Sequence, residues 1–179
     1  MSIVRGMWTG RVIAAICAPL IALGGVSGVV AQRPESFAHQ LLALHNAARD
    51  DAGVPSLTWS SKLAQDAQGW AERLAREGRM YHATHEQSGG EGENLWMGSK
   101  GYYGPETMIG AFTDEKRFYR HAAFPQVSST GRWQDVGHYT QVVWRDTQQV
   151  GCAIARGAKD DFLVCRYWPA GNWVGQRAY

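Results

Sequence analysis

Four ionisable side chains, His82, Glu93, Glu115 and His138, sit in segments whose patterning would carry them into the fold. Glu93 lies in Gly92-Glu93-Asn94-Leu95, a turn-like lead-in to a short apolar run. Glu115 falls at helical spacing from Met108 and Phe112, so a carboxylate shares the face of two apolar side chains. His138 opens a run rich in Val, Tyr and Trp, and alternation puts it on one strand face with Thr140, Val142 and Trp144. Such groups are costly to bury alone. Imidazoles and carboxylates can satisfy one another by hydrogen bonds, or can jointly hold a divalent cation, because nitrogen and oxygen donors suit zinc. Spacing alone does not say that the four meet.

Familiar catalytic templates are missing. His85-Glu86 begins like a zinc-protease helix, but Gly89 occupies the place of the second histidine. No G-x-S-x-G elbow occurs. Trp59, Trp70, Trp144 and Trp168 fall where core packing accounts for them, whereas Trp96 and Trp133, nearer to loops, are the candidates for stacking on a ligand.

The elements that must position these groups are read from period and punctuation. Phe37, Leu41, Leu44 and Ala48 form a helical stripe closed by Arg49, Asp50 and Asp51 before Gly53. Leu63, Ala67, Trp70 and Leu74 form a second, with Ser60 or Ser61 as N-cap and Gly78 as its end. A glycine-rich stretch, 88–104, precedes a third helix that starts at Pro105 and runs to about Tyr119. Residues 138–144, 150–156 and 162–168 then read as strands. In a hairpin turning at Ala158-Lys159, Cys152 and Cys165 face each other, at a spacing a disulfide can span. Helices first and strands last predict an α+β domain with an antiparallel sheet covered by helices.

Residues 1–31 read as a signal peptide: Arg5 and Arg11 precede an apolar run, and Val29-Val30-Ala31 resembles a cleavage site. Secretion or delivery to a periplasm follows, with no membrane span in the mature chain. Cys17 belongs to the discarded peptide, so Cys152 and Cys165 remain as an even pair in an oxidising compartment. Removing 31 of 179 residues leaves 148, enough for one domain spanning 35–179. The 18 Lys and Arg lose the two leader arginines and become 16, against 16 Asp and Glu. A basic footprint for nucleic acid is therefore absent.

Two long motifs then point to a family. Gly137-His138-Tyr139-Thr140-Gln141-Val142-Val143-Trp144-Arg145-Asp146-Thr147 resembles the first signature of the CAP superfamily (cysteine-rich secretory, antigen-five and pathogenesis-related proteins), and Leu163-Val164-Cys165-Arg166-Tyr167-Trp168-Pro169-Ala170-Gly171-Asn172-Trp173 is similar to the second. His45-Asn46-Ala47-Ala48-Arg49, Leu57-Thr58-Trp59 and Gly92-Glu93-Asn94-Leu95 add three further features, so the likeness spans residues 37–173 and fits a single-domain, bacterial-type member. The resemblance implies a three-layer α-β-α sandwich with a central, mainly antiparallel sheet. It also implies a cleft lined by two histidines and two acids that binds zinc or another divalent cation.

Carried over by motif, the cleft residues are His138, Glu93 and Glu115, although Phe112 stands where relatives usually have Trp. The second histidine is His82, preceded by Met80, rather than His85. Asn46, Gln141 and Trp96 are the expected ligand contacts. The expected function is that of a monomeric binding module for a metal and a small or extended ligand, a lipid, sterol or envelope component. A metal-assisted hydrolase or peptidase using Glu93 or Glu115 is the alternative, and a purely structural role is the third reading.

Overall fold

The computed structural model describes residues 36–179, so the expected leader and its cleavage site lie outside the described residues. Helix α1 (Phe37–Asp51) starts at Ser36, whose hydroxyl accepts from His39 N. Strand β1 (Thr58–Trp59) leads into α2 (Ser61–Glu77), capped by Ser60 at its start and closed by Gly78 in the left-handed region at φ +65°. A single turn, α3 (His85–Ser88), is fixed by a reciprocal capping box between Thr84 and Gln87. Then follow β2 (Gly92–Ser99), α4 (Pro105–Thr113), α5 (Gly137–Val142), β3 (Gln149–Arg156) and β4 (Asp160–Trp168).

The four strands lie in the order β1-β3-β4-β2. Only β1 pairs in parallel, with β3, while β3–β4 and β2–β4 are antiparallel. The β3–β4 register places Cys152 opposite Cys165, and the two are disulfide-bonded with Cα atoms 4.1 Å apart. Alternation along the strands separates two cores. On one face Leu95, Phe162 and Val164 pack under Ala67, Trp70 and Leu74 of α2. On the other, Leu163, Cys165 and Tyr167 pack against Leu41 of α1, Met108 and Phe112 of α4, and Tyr139 of α5. Three layers result, as expected. At Gly151 a Cβ would come within 2.2 Å of Ala64 N, so a side chain there would push α2 off the sheet.

Three elements differ from the sequence expectation. The third helix stops at Thr113 and tightens into a 3-10 segment over Asp114–Phe118, and this carries Glu115 toward the start of α5. The glycine-rich stretch contains β2, so Glu93 is a strand residue paired across to Arg166 and not part of a turn. Residues 138–144, expected as a strand, are largely helical, in α5. Their β-branched composition favours a strand locally, but the Glu115 carboxylate accepts from His138 N and Tyr139 N, supplying a helix cap from another element. Tertiary contact overrides local preference here.

Arg49 holds the far end of α5. Its guanidinium donates to the carbonyls of Pro55 (2.6 Å), Val142 (2.9 Å), Trp144 (2.8 Å) and Thr147 (3.0 Å). Burial lowers its pKa to about 10, which still leaves it charged at neutral pH. Among the described residues no helix is long and apolar enough to cross a membrane.

Candidate functional site

The site lies at the edge of the sheet, where β2 is the outermost strand. Successive strand residues face opposite ways. Glu93 shares the α2 side with Leu95, while Asn94 turns to the α1 side, where its amide donates to His138 O and Tyr167 Oη, both at 3.1 Å. Gly92 precedes them because a Cβ there would strike Gln141 Oε1 at 2.3 Å. A cavity of about 620 Å³ spans this edge, and His82, Glu93, Asn94 and His138 all line it.

Each cleft histidine is held by a carboxylate. His82 Nδ1 donates to Glu93 Oε1 at 2.7 Å, and the same oxygen accepts from Ala83 N at 3.0 Å. His138 Nδ1 donates to Glu115 Oε1 at 2.6 Å, while Oε2 accepts from His138 N and Tyr139 N. A carboxylate can only accept, so Nδ1 carries the proton in both neutral rings and Nε2 keeps a free lone pair. Glu115 does not itself line the cavity. It stands behind His138, whose ring also stacks on Phe112 with centroids 5.0 Å apart. Trp133 and Phe124, in contact at 5.2 Å, supply apolar wall.

The remaining candidates are placed as follows. His85 lies in an adjoining hollow with Gln141 and Trp173, so His82 is the cavity histidine. Gln141 is buried there, and its carbonyl oxygen accepts from Gly171 N at 2.9 Å. Asn46 is not brought to the cavity: its amide pairs with both backbone groups of Leu57, at 2.7 and 3.1 Å. Trp96 also stays away, edge-on to Tyr103 and against the core. Trp133, by contrast, does line the cavity.

Sequence reasoning missed four residues around the site. Asn172, in the left-handed region at φ 61°, accepts from Thr140 Oγ1 and donates to Gly137 O, pinning the start of α5. Phe124 needs the tertiary fold to be found. Glu91 is a second carboxylate on the cavity wall, next to Glu93, and burial, with Asp66 beside it, raises its pKa to about 7. Arg166, buried on the neighbouring strand β4, contacts both Glu91 and Glu93. Pairing β2 with β4 predicts that contact, but the glycines around β2 hide it as a strand.

Beneath His138 runs a directional chain. Asn94 donates to Tyr167 Oη, Tyr167 donates to His45 Nε2 at 2.8 Å, and His45 Nδ1 donates to Leu41 O at 2.7 Å. Burial holds His45 neutral, with its pKa lowered to about 4. The one compact group of potential metal donors among the described residues is His45 with Cys152 and Cys165. Both sulfurs are bonded to each other and both ring nitrogens are engaged, so this cluster is structural. The cleft groups are spread more widely than that cluster.

The sequence profile of the cysteine-rich secretory protein family, CAP, matches residues 42–167. The chain belongs to the CAP family. Among curated CAP relatives, pathogenesis-related protein PRMS of Zea mays is 33% identical over 162 residues, covering 89% of this chain and 92% of that protein. Pathogenesis-related protein 1A of Nicotiana tabacum is 36% identical over 148 residues, covering 82% and 83%. Among solved structures, NaASP2 with Zn2+ aligns with a TM-score of 0.70 at 23% identity, covering 81% of this chain and 86% of that one. Schistosoma mansoni venom allergen-like protein 4 aligns with a TM-score of 0.63 at 21% identity, covering 81% and 94%. These structural likenesses establish the fold.

Proposed function

We propose that this chain is an exported CAP-domain binding protein whose cleft takes a divalent cation, zinc foremost, between His82 and His138 and binds a lipid, sterol or envelope component against its apolar wall. One observation carries the reading. Two imidazoles line a single cavity, each with Nδ1 committed to a carboxylate and Nε2 left as a donor. Carboxylates behind histidines are the usual support of a metal-binding imidazole, so the donor set fits zinc. When bound, the ion would supply Lewis acidity, with the remaining positions open to water or ligand. The crystal structure of NaASP2 with Zn2+, a neighbour in fold, supports the choice of metal. The apolar wall of Phe124 and Trp133 supports the choice of ligand class.

The same geometry weighs against a hydrolase that uses Glu93 or Glu115 as base. Glu115 spends its oxygens on an imidazole and two backbone N–H groups; Glu93 Oε1 serves an imidazole and one N–H, and its Oε2 is buried in an ion pair with the Arg166 guanidinium. Neither is poised to take a proton from water.

The test is zinc titration by calorimetry, with native mass spectrometry of protein purified from the exporting host. Wild type should bind one ion per chain, and His82→Ala/His138→Ala should lose it entirely. Equal uptake by the double variant would end the reading.

A further inference from the structure

The two carboxylates behind the cleft histidines are supported by different means. Glu115 is fixed by two backbone N–H groups of α5, at 2.9 and 3.1 Å. Glu93 has one, Ala83 N, and its second oxygen lies 2.8 Å from Arg166 Nη2. Arg166 stands directly opposite Glu93 in the β2–β4 ladder and is only 2% exposed. Its Nη1 is 3.5 Å from Glu91 Oε2.

Burying a guanidinium between two carboxylates is an expensive way to hold strands together, since an apolar pair of similar size would stabilise them at least as well. What the ion pair adds is a fixed place for the carboxylate. The His82 side chain is 63% exposed, and among the described residues no ring stacks on it as Phe112 stacks on His138. Its orientation therefore rests on Glu93.

We infer that Arg166 is a positioning residue for the cleft. By pairing with Glu93 Oε2 from the neighbouring strand, it leaves Oε1 as the acceptor that keeps His82 in its Nδ1–H tautomer, with the Nε2 lone pair free. Glu91 lies against the same guanidinium, 3.5 Å from Nη1. The consequence for metal affinity rests on the function proposed above, whereas the consequence for the tautomer does not.

The experiment reads both. Long-range proton–nitrogen spectra of the two imidazoles, at a pH where both are neutral and with no metal added, report which nitrogen carries the proton. Wild type should show Nδ1–H at both rings. In Arg166→Gln, His82 should move to the Nε2–H form while His138 is unchanged, zinc affinity should fall about tenfold, and Arg166→Lys should restore part of each. If Arg166→Gln does not fold, Arg166→Gln/Glu91→Gln, which also removes the neighbouring buried carboxyl group, carries the same expectation. A His82 ring that keeps its wild-type tautomer in whichever of these folds overturns the inference, whatever happens to zinc affinity. Wild type with the expected tautomers but no zinc uptake overturns the metal reading and leaves the role of Arg166 standing.

Discussion

The two arms of the cleft reach a similar end by different routes. The His138 arm is built into the scaffold: its ring is stacked, its carboxylate caps α5, Asn172 pins one end of that helix and Arg49 the other. The His82 arm is a mostly exposed ring on a loop, held by one carboxylate and an arginine beneath it. The lesson is that one arm is rigid because the fold needs it and the other because a few charges hold it. Damage to the first should appear as lost stability, and damage to the second as lost affinity.

The largest way to break that contrast is at Arg49. Arg49→Met strips the donors from four carbonyls around the end of α5 and should cost about 4 kcal/mol in urea denaturation. A cost below about 1 kcal/mol would show that α5 stands without it.

Next is acidity. The pKa of His45 is lowered from 6.5 to about 4 by burial, so unfolding takes up a proton between those values. This contribution, roughly 3 kcal/mol, is intact above about pH 6.5 and is lost as pH falls toward about 4. Unfolding free energy measured against pH should decline over that window, and His45→Leu should flatten the decline. An unchanged slope in the variant would assign it to other groups.

The smallest effect sharpens the contrast directly. His138→Ala should lower stability by about 1–2 kcal/mol through lost stacking and a lost hydrogen bond, while His82→Ala should stay within about 0.5 kcal/mol. Thermal melts of the two side by side suffice, and equal losses would erase the distinction between the arms.

Much of the scaffold is legible in the sequence because its signals are local. Gly78 ends α2 through its left-handed φ, and Pro105 opens α4 at the first turn. The opposition of Cys152 and Cys165 follows from where a hairpin must turn. The signals that fail are non-local. Nothing in residues 138–144 announces that a carboxylate from residue 115 will cap them. Asn46 reads as a cleft amide but spends both polar atoms on Leu57, and Arg166 reads as one more charged strand residue until β2 gives it Glu93 as a neighbour.

One consequence of the edge strand concerns tolerance to change. Glu93 serves one histidine and Asn94 the backbone of the other only because neighbouring residues of β2 point to opposite sides. A single-residue insertion ahead of Glu93 that shifted the strand by one place would exchange their sides and disconnect both arms at once. An insertion absorbed in the preceding glycine turn, of one residue or two, would leave the register and both arms intact, so length variation should be accepted in the turn and not in the strand.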